Sequence, residues 1–283
     1  MHKTIVLRLF HIINHLLVIY GLMFHWNLSF LFLSFFIYAL IGSFGISIGY
    51  HRYLSHKSFQ PRGLFQIFCI FWGIVSTGGS PISWAAAHRI HHQHSDTDLD
   101  IHFLARDGFF RVYFHHWHPF VVSRRLVRDL IRVRWLRWIH QNYFMILILY
   151  AGGLYLCNFK IGVYIYSLPA IMAFHFYGMI NVLGHCFGKR PLVTNDTSSN
   201  NWFINIFTFG EGWHQNHHLL PSSHRIGLRN NELDFSAWML ENLPFSKDRG
   251  RLREKKDKNI AYLDQKQKEL EATIFSPIKW PSS

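Results

Sequence analysis

Four short segments of this 283-residue chain concentrate imidazoles: HRYLSH (His51, His56), HRIHH (His88, His91, His92), NVLGH (Asn181, His185) and HQNHH (His214, His217, His218). Histidines at i, i+3 and i+4 leave one face of a helix, so each HxxHH aims three imidazoles at one small volume. Asn181 and His185, at i and i+4, share a face in the same way, whereas His51 and His56, at i and i+5, diverge around an α-helix. Close imidazolium ions repel and close neutral ones need something to coordinate, so the doubled pattern reads as a metal-binding surface. The remaining histidines lack that spacing. His2, His11, His15, His25 and His175 read as core or interfacial residues, and His94, His102, His115, His116, His118 and His224 as supporting or surface ones.

The elements that must position these groups are apolar. The chain is 49% hydrophobic and 17% aromatic with 16% charged residues, which points to a membrane protein and away from a nucleic-acid binder. Its net charge of +13 then suits a cytoplasmic membrane surface, anionic headgroups or an acidic soluble partner. Cys69, Cys157 and Cys186 are scattered without a CxxC pair, which argues against a disulfide scaffold or a structural zinc site.

Apolar runs over 4–24, 28–49, 143–157 and 161–180 are expected to cross the bilayer as four transmembrane helices in two hairpins. No small-residue cleavage site follows the first, so it reads as retained. A fifth run, 64–82, is broken by Ser76, Thr77, Gly78, Gly79, Ser80 and Pro81. If it crossed, HRYLSH and HRIHH would lie on opposite sides and could share no site, so it reads as an interfacial segment. The arginines between residues 111 and 137 place that side in the cytoplasm, with both chain ends. The fold expected is an all-α integral membrane protein with a cytoplasmic helical cap. Residues 1–246 would form the membrane-embedded domain and 247–283 a charged tail. Ser123 to Ile139 alternates Arg with apolar residues and reads as one amphipathic helix on the membrane surface.

Nine imidazoles are too many for one ion and imply two. Nitrogen donors suit iron, zinc or copper and argue against iron–sulfur, copper(I) or magnesium-phosphate sites. Zinc cannot change oxidation state, and a membrane-facing site made for lipid suggests redox work on an unactivated chain, for which two irons fit best.

The order HxxxxH, HxxHH, NxxxH, HxxHH resembles the membrane-bound fatty acyl desaturases, most closely the delta-9 acyl-CoA type, over about Gly42 to Trp238. AHRIHHQHSDTDLDIH, NVLGHCFGKRP, TNDTSSNNW and TFGEGWHQNHHLLPSSHRIGLR are similar to that group's boxes. The resemblance implies diiron ligands at His51, His56, His88, His91, His92, His185, His214, His217 and His218, with Asn181 acting through water. It does not divide them between the Fe²⁺ ions. It further implies O₂ as oxidant, an acyl thioester such as an acyl-CoA as substrate, and a separate electron donor, a ferredoxin or cytochrome b5, since no heme-binding HPGG motif follows the last box. Ile101 replaces a usual proline and Gln215 a usual Asn, changes expected to bear on substrate or surface contacts. Trp84, one turn before His88, and Tyr177 and Phe174, one and two turns before Asn181, are candidate walls of an apolar tunnel. A hydroxylase with the same irons is the nearest rival. A histidine-rich metal transporter would instead string its ligands along the spans.

Overall fold

The computed structural model describes residues 2–114, 118, 120–192 and 194–274. His115, His116 and the tail beyond residue 274 lie outside the described residues. Among the described residues there is no strand, only helices and isolated bridges. Among the described residues three helices are long and apolar enough to cross a membrane: Thr4–Phe24 within α1 (His2–Phe24), α2 (Leu28–Ser55) and α8 (Phe159–Cys186). The run expected to be a third crossing forms α7 (Tyr143–Cys157), apolar but only 15 residues long.

The second and fourth apolar runs, expected to end at 49 and 180, belong to helices that continue to Ser55 and Cys186. HRYLSH and NVLGH therefore sit at the ends of continuous helices. Over Leu40–Ser55 the winding of α2 widens to i→i+5 hydrogen bonds. The His56 N–H donates to the His51 carbonyl at 3.1 Å. In that geometry residues five apart stack on one face, which corrects the expectation that His51 and His56 diverge.

Lipid-facing helices gain little from burying apolar surface against one another, so close approach between small residues matters more. A Cβ on Gly45 of α2 would lie 2.5 Å from the Trp72 backbone, and one on Gly73 would lie 2.3 Å from the Tyr50 ring. That backbone-to-backbone crossing seats α2 on α3 (Phe65–Val75). After eleven residues, roughly 16 Å, α3 is too short to cross a bilayer. The chain reverses through Thr77 and Gly79, both with positive φ. It restarts as α4 (Pro81–His94), where Ser80 Oγ accepts from the Ser83 N–H and Pro81 occupies the first turn. The 64–82 run is thus two elements rather than one. Ile41, Tyr50, Ile70, Ile74, Ile82, Ala85, Leu147 and Tyr166 form the main core between α2, α3, α4, α7 and α8.

The expected amphipathic helix over 123–139 is also divided. A 3₁₀ turn (Arg124–Val127), one α-turn (Arg128–Ile131) and α6 (Arg134–Gln141) follow in sequence. Val127, Leu130 and Leu136 are buried, so this stretch is pinned by packing rather than laid out as one surface helix. The remaining elements are α5 (Leu104–Tyr113), α9 (Trp202–Thr208), α10 (His214–Leu219), α11 (Phe235–Asn242) and α12 (Arg249–Ile274). In α12, Leu252 is buried, and Leu263 packs with Leu192 and Leu228, so the charged tail is fastened to the rest of the chain.

Candidate metal centre

The four histidine segments converge. His51, His56, His88, His92 and His217 bring their ring nitrogens within 4.8 Å of one another, and so, separately, do His91, His185, His214 and His218. Each HxxHH is split between the two groups. His88 and His92 go to the first and His91 to the second, whereas His217 goes to the first and His214 and His218 to the second. Residues i and i+4 are rotated by roughly 40°, but i+3 and i+4 differ by a full step of roughly 100°. A helical HxxHH therefore serves two neighbouring volumes, which corrects the expectation of three imidazoles in one.

Arg89, inside HRIHH, ties the first two segments together. Its guanidinium donates to the carbonyls of Leu54 (2.6 Å) and Ser55 (3.0 Å) at the end of α2 and to both oxygens of Asp129. Helix-end carbonyls that need donors are thereby satisfied by the helix bearing the next three histidines. Arg52, 1% exposed, plays the corresponding part for α2. It donates to Glu211, to both oxygens of Asp234 (3.0 and 3.1 Å) and to the His224 carbonyl (2.6 Å). On α10, Asn216 donates to the Ile226 carbonyl (3.0 Å) and Glu232 (2.7 Å), while Asn200 accepts from the Gln215 and Asn216 N–H groups. Gln215, expected at the surface or against substrate, is fully buried and donates to the Leu192 carbonyl at 2.6 Å.

Carboxylates brace the imidazoles from behind. His91 Nδ1 lies 3.0 Å from both Asp100 oxygens and His218 Nδ1 lies 2.7 Å from Asp196. His51 Nδ1 contacts Glu211 at 2.6 Å and His185 Nδ1 contacts Asp96 at 3.5 Å. Such partners fix the tautomer and leave Nε2 as the ligand atom. Burial, then the neighbouring imidazoles, hold His56, His88, His92, His214 and His217 well below the ordinary imidazole value. Burial brings His218 down to about 4 against the opposing pull of Asp196. Neutral imidazoles are what metal ligation requires.

The pair His91 and His218 tests whether a cation fits. Both Nδ1–H groups donate to carboxylates, so both Nε2 atoms present lone pairs, yet these face each other at 3.3 Å. With both rings neutral no hydrogen bond can join them, and a positive centre between them makes the contact favourable. Ligands bound at roughly 2.1 Å are separated by roughly 3 Å, the spacing of the other facing Nε2 pairs as well. These are His51 with His217 at 2.9 Å, His92 with His217 at 2.7 Å, His56 with His88 at 2.7 Å and His185 with His214 at 3.1 Å.

A small cavity of about 60 Å³ opens onto both groups, lined by His51, His88, His91 and His214 together with Trp84, Ala87, Tyr177 and Asn181. A cavity of about 720 Å³ adjoins it, sharing Trp84 and Ala87 as wall. The larger one is apolar along Leu7, Ile82, Val127 and Phe144 and also meets Arg124, Arg137 and His140. Two of the three aromatic residues expected beside the site, Trp84 and Tyr177, are there. Phe174 is not, packing instead against His11 with ring centres 4.3 Å apart.

Sequence reasoning passed over Asp96, Asp100, Asp196 and Glu211, although each lies within a few residues of a box or of NVLGH's following loop. It also set aside His102, which is buried beside His91 and Asp100 and lines the small cavity. His94 stays out of both groups, and His224 bonds Glu241 at 3.0 Å.

Residues 6–245 match the fatty acid desaturase family. Delta-9 acyl-lipid desaturase 1 of Arabidopsis thaliana is 34% identical over 71% of this chain and 68% of its own length. The acyl-CoA C20 Delta5-desaturase of Anemone leveillei is 32% identical over 74% and 69%, and the sn-1 stearoyl-lipid 9-desaturase of Anabaena variabilis 33% over 72% and 76%. With its histidine groups and apolar helices, the chain belongs to the fatty acid desaturase family, and is an oxidoreductase of lipid metabolism.

Proposed function

We propose that the chain introduces a cis double bond at the delta-9 position of a saturated fatty acyl chain carried as a CoA thioester, using O₂, two iron ions and electrons from a separate protein. The observation that supports this best is the sharing of Trp84 and Ala87 between the histidine-lined cavity and the large apolar one. A saturated chain offers no polar handle, so the bond attacked must be selected by how far the chain reaches along an apolar wall.

His51, His56, His88, His92 and His217 would hold one iron. His91, His185, His214 and His218, with Asn181 through water, would hold the other. Bound there, the irons supply the one-electron and O₂ chemistry that side chains lack. The balance is one O₂, two electrons and two protons per double bond, with two waters released. The protein's own part is positioning. Trp84 stacks on the His88 ring with centres 5.1 Å apart and closes the wall next to the ligands, and the Tyr177 hydroxyl is held by the Gly42 carbonyl at 2.7 Å. Apolar lining keeps bulk water from the methylenes. Arg124, Arg137 and His140 suit an anionic or polar head on the acyl carrier.

In this reading α1, α2, α7 and α8 cross the bilayer as two hairpins, with residues 25–27 and 158 outside and the histidines and both ends in the cytoplasm. The arginines of 124–137 then offer a surface to an acidic electron donor. Gas chromatography of lipids from cells expressing the chain tests the proposal, followed by assays with stearoyl-CoA and with stearoyl phospholipid. New delta-9 monounsaturated acids that vanish in His88→Ala are expected. Hydroxy acids would favour a hydroxylase, activity on phospholipid alone would replace the thioester, and an unchanged profile despite bound iron would overturn the reading.

A further inference from the structure

α9, Leu233 and the start of α11 expose Trp202 (65%), Phe203, Ile206, Leu233 (78%), Phe235 and Trp238, six large apolar side chains on neighbouring surfaces. The two elements are joined by the Leu233 carbonyl, which accepts from Asn205 and from the Trp213 indole, each at 2.8 Å. No exposed charge interrupts them: the ionisable residues of 197–213 and 233–242 are Glu211, Asp234 and Glu241, all buried.

α9 also lies deep against the long helices. The Phe207 ring stacks on Phe176 of α8 with centres 4.4 Å apart and planes 2° from parallel, and the Phe207 carbonyl accepts from the Tyr38 hydroxyl of α2. Phe176 precedes the end of α8 at Cys186 by ten residues, roughly 15 Å along the axis. The α2 residue that meets α9, Tyr38, lies two positions after Phe36, which like Phe32 and Phe35 is exposed. Several of the end groups of α9 are satisfied internally, as immersion in lipid favours. Asn201 Oδ1 accepts from the Phe203 and Ile204 N–H groups, Thr208 Oγ1 donates to the Ile204 carbonyl, and the Ser236 N–H donates to the Phe209 carbonyl.

We propose that α9 and the first turn of α11 form a foot embedded in the bilayer, with Trp202, Phe203, Ile206, Leu233, Phe235 and Trp238 contacting lipid acyl chains. The foot anchors the α9–α11 region from the side of α2 and α8, independently of the arginine-rich stretch. This rests on reading α1, α2 and α8 as membrane spans.

The unmodified chain in phosphatidylcholine vesicles carrying an acyl-chain diazirine tests it, by photolysis and peptide mapping. Label on peptides 202–207 and 235–238 should match that on α1 within about twofold and exceed that on α12 by about tenfold or more. Label on α1 without label on these peptides overturns the foot alone. Absence from α1 as well overturns the span reading and the foot with it. Label that appears only on dilution into excess lipid assigns the face to a second copy. Spin labels at Ile206→Cys and Trp238→Cys, in a background lacking the native cysteines, give an independent readout. Collision with O₂ should exceed collision with a polar relaxant, and the reverse order refutes the proposal.

Discussion

Replacing Asp100 by Asn isolates the contribution of carboxylate bracing to the proposed metal centre. The Asp100 side chain is fully buried, and its two oxygens are both engaged: Oδ1 accepts from the His102 N–H at 2.8 Å, Oδ2 from the Asp96 N–H at 2.9 Å, and His91 Nδ1 lies 3.0 Å from each. An amide keeps one acceptor. Whichever way it turns, its NH₂ opposes a backbone N–H, leaving a buried donor unpaired at about 1–3 kcal/mol of folding stability. The charge that orients His91 is lost as well, and removal of such partners lowers metal affinity by about 10–100-fold. That corresponds to about 1.4–2.7 kcal/mol. Iron retention against a graded chelator series, with denaturant unfolding of the metal-free protein, separates the two effects. Asp98→Asn, on the exposed side of the same turn, serves as control. A retention curve for Asp100→Asn that superimposes on wild type would refute the bracing argument, whatever the change in metal-free stability.

Arg52→Leu should be more damaging, because it leaves Glu211 and Asp234 buried without their cation. A loss of about 3–5 kcal/mol is expected in denaturant unfolding, and Arg52→Lys should recover only part of it, since one ammonium cannot span both carboxylates. For Glu241, burial opposes ionisation, but His224 and Arg225 outweigh it and bring the carboxyl down to about 2. A depressed acid contributes stability that is complete above its unfolded value and lost as pH falls through the folded one. Between about pH 4.5 and 2 the thermal midpoint of wild type in detergent should therefore fall more steeply than that of Glu241→Gln. Parallel slopes would contradict the pairing.

The histidine segments were legible because HxxHH is improbable by chance and chemically expensive without a ligand. The expectation for 64–82 had a related basis, that segments sharing a site cannot lie on opposite sides of a bilayer, and the break it noted at residues 76–81 is where α3 ends and α4 begins. What stayed hidden depended on local backbone geometry or on long-range pairing. Nothing in HRYLSH announces the i→i+5 winding that stacks His56 over His51. Asp196 sits 22 positions from the His218 it supports, and Glu211 160 from His51, so no window in the sequence connects them. Phe174 shows the limit of counting turns. It has the spacing of Tyr177, yet α8 directs it toward α1 and His11 rather than toward the cavity.

The division of each HxxHH between two histidine groups has consequences that a single-volume clamp does not. On α4 the outer pair His88 and His92 serves the first group and His91 the second, and on α10 the assignment is reversed, so each helix ties the two groups together. α2 reaches only the first group and α8 only the second. Paired substitutions follow from this map. His91→Ala with His185→Ala halves the four-membered group and leaves the five-membered one intact, so about one iron per chain should survive chelation. His92→Ala with His185→Ala weakens both groups while removing the same number of imidazoles, and retention should fall for both irons together. If each HxxHH instead acted as one clamp, His91 and His92 would be equivalent partners for His185, and the two double variants would lose iron along the same curve.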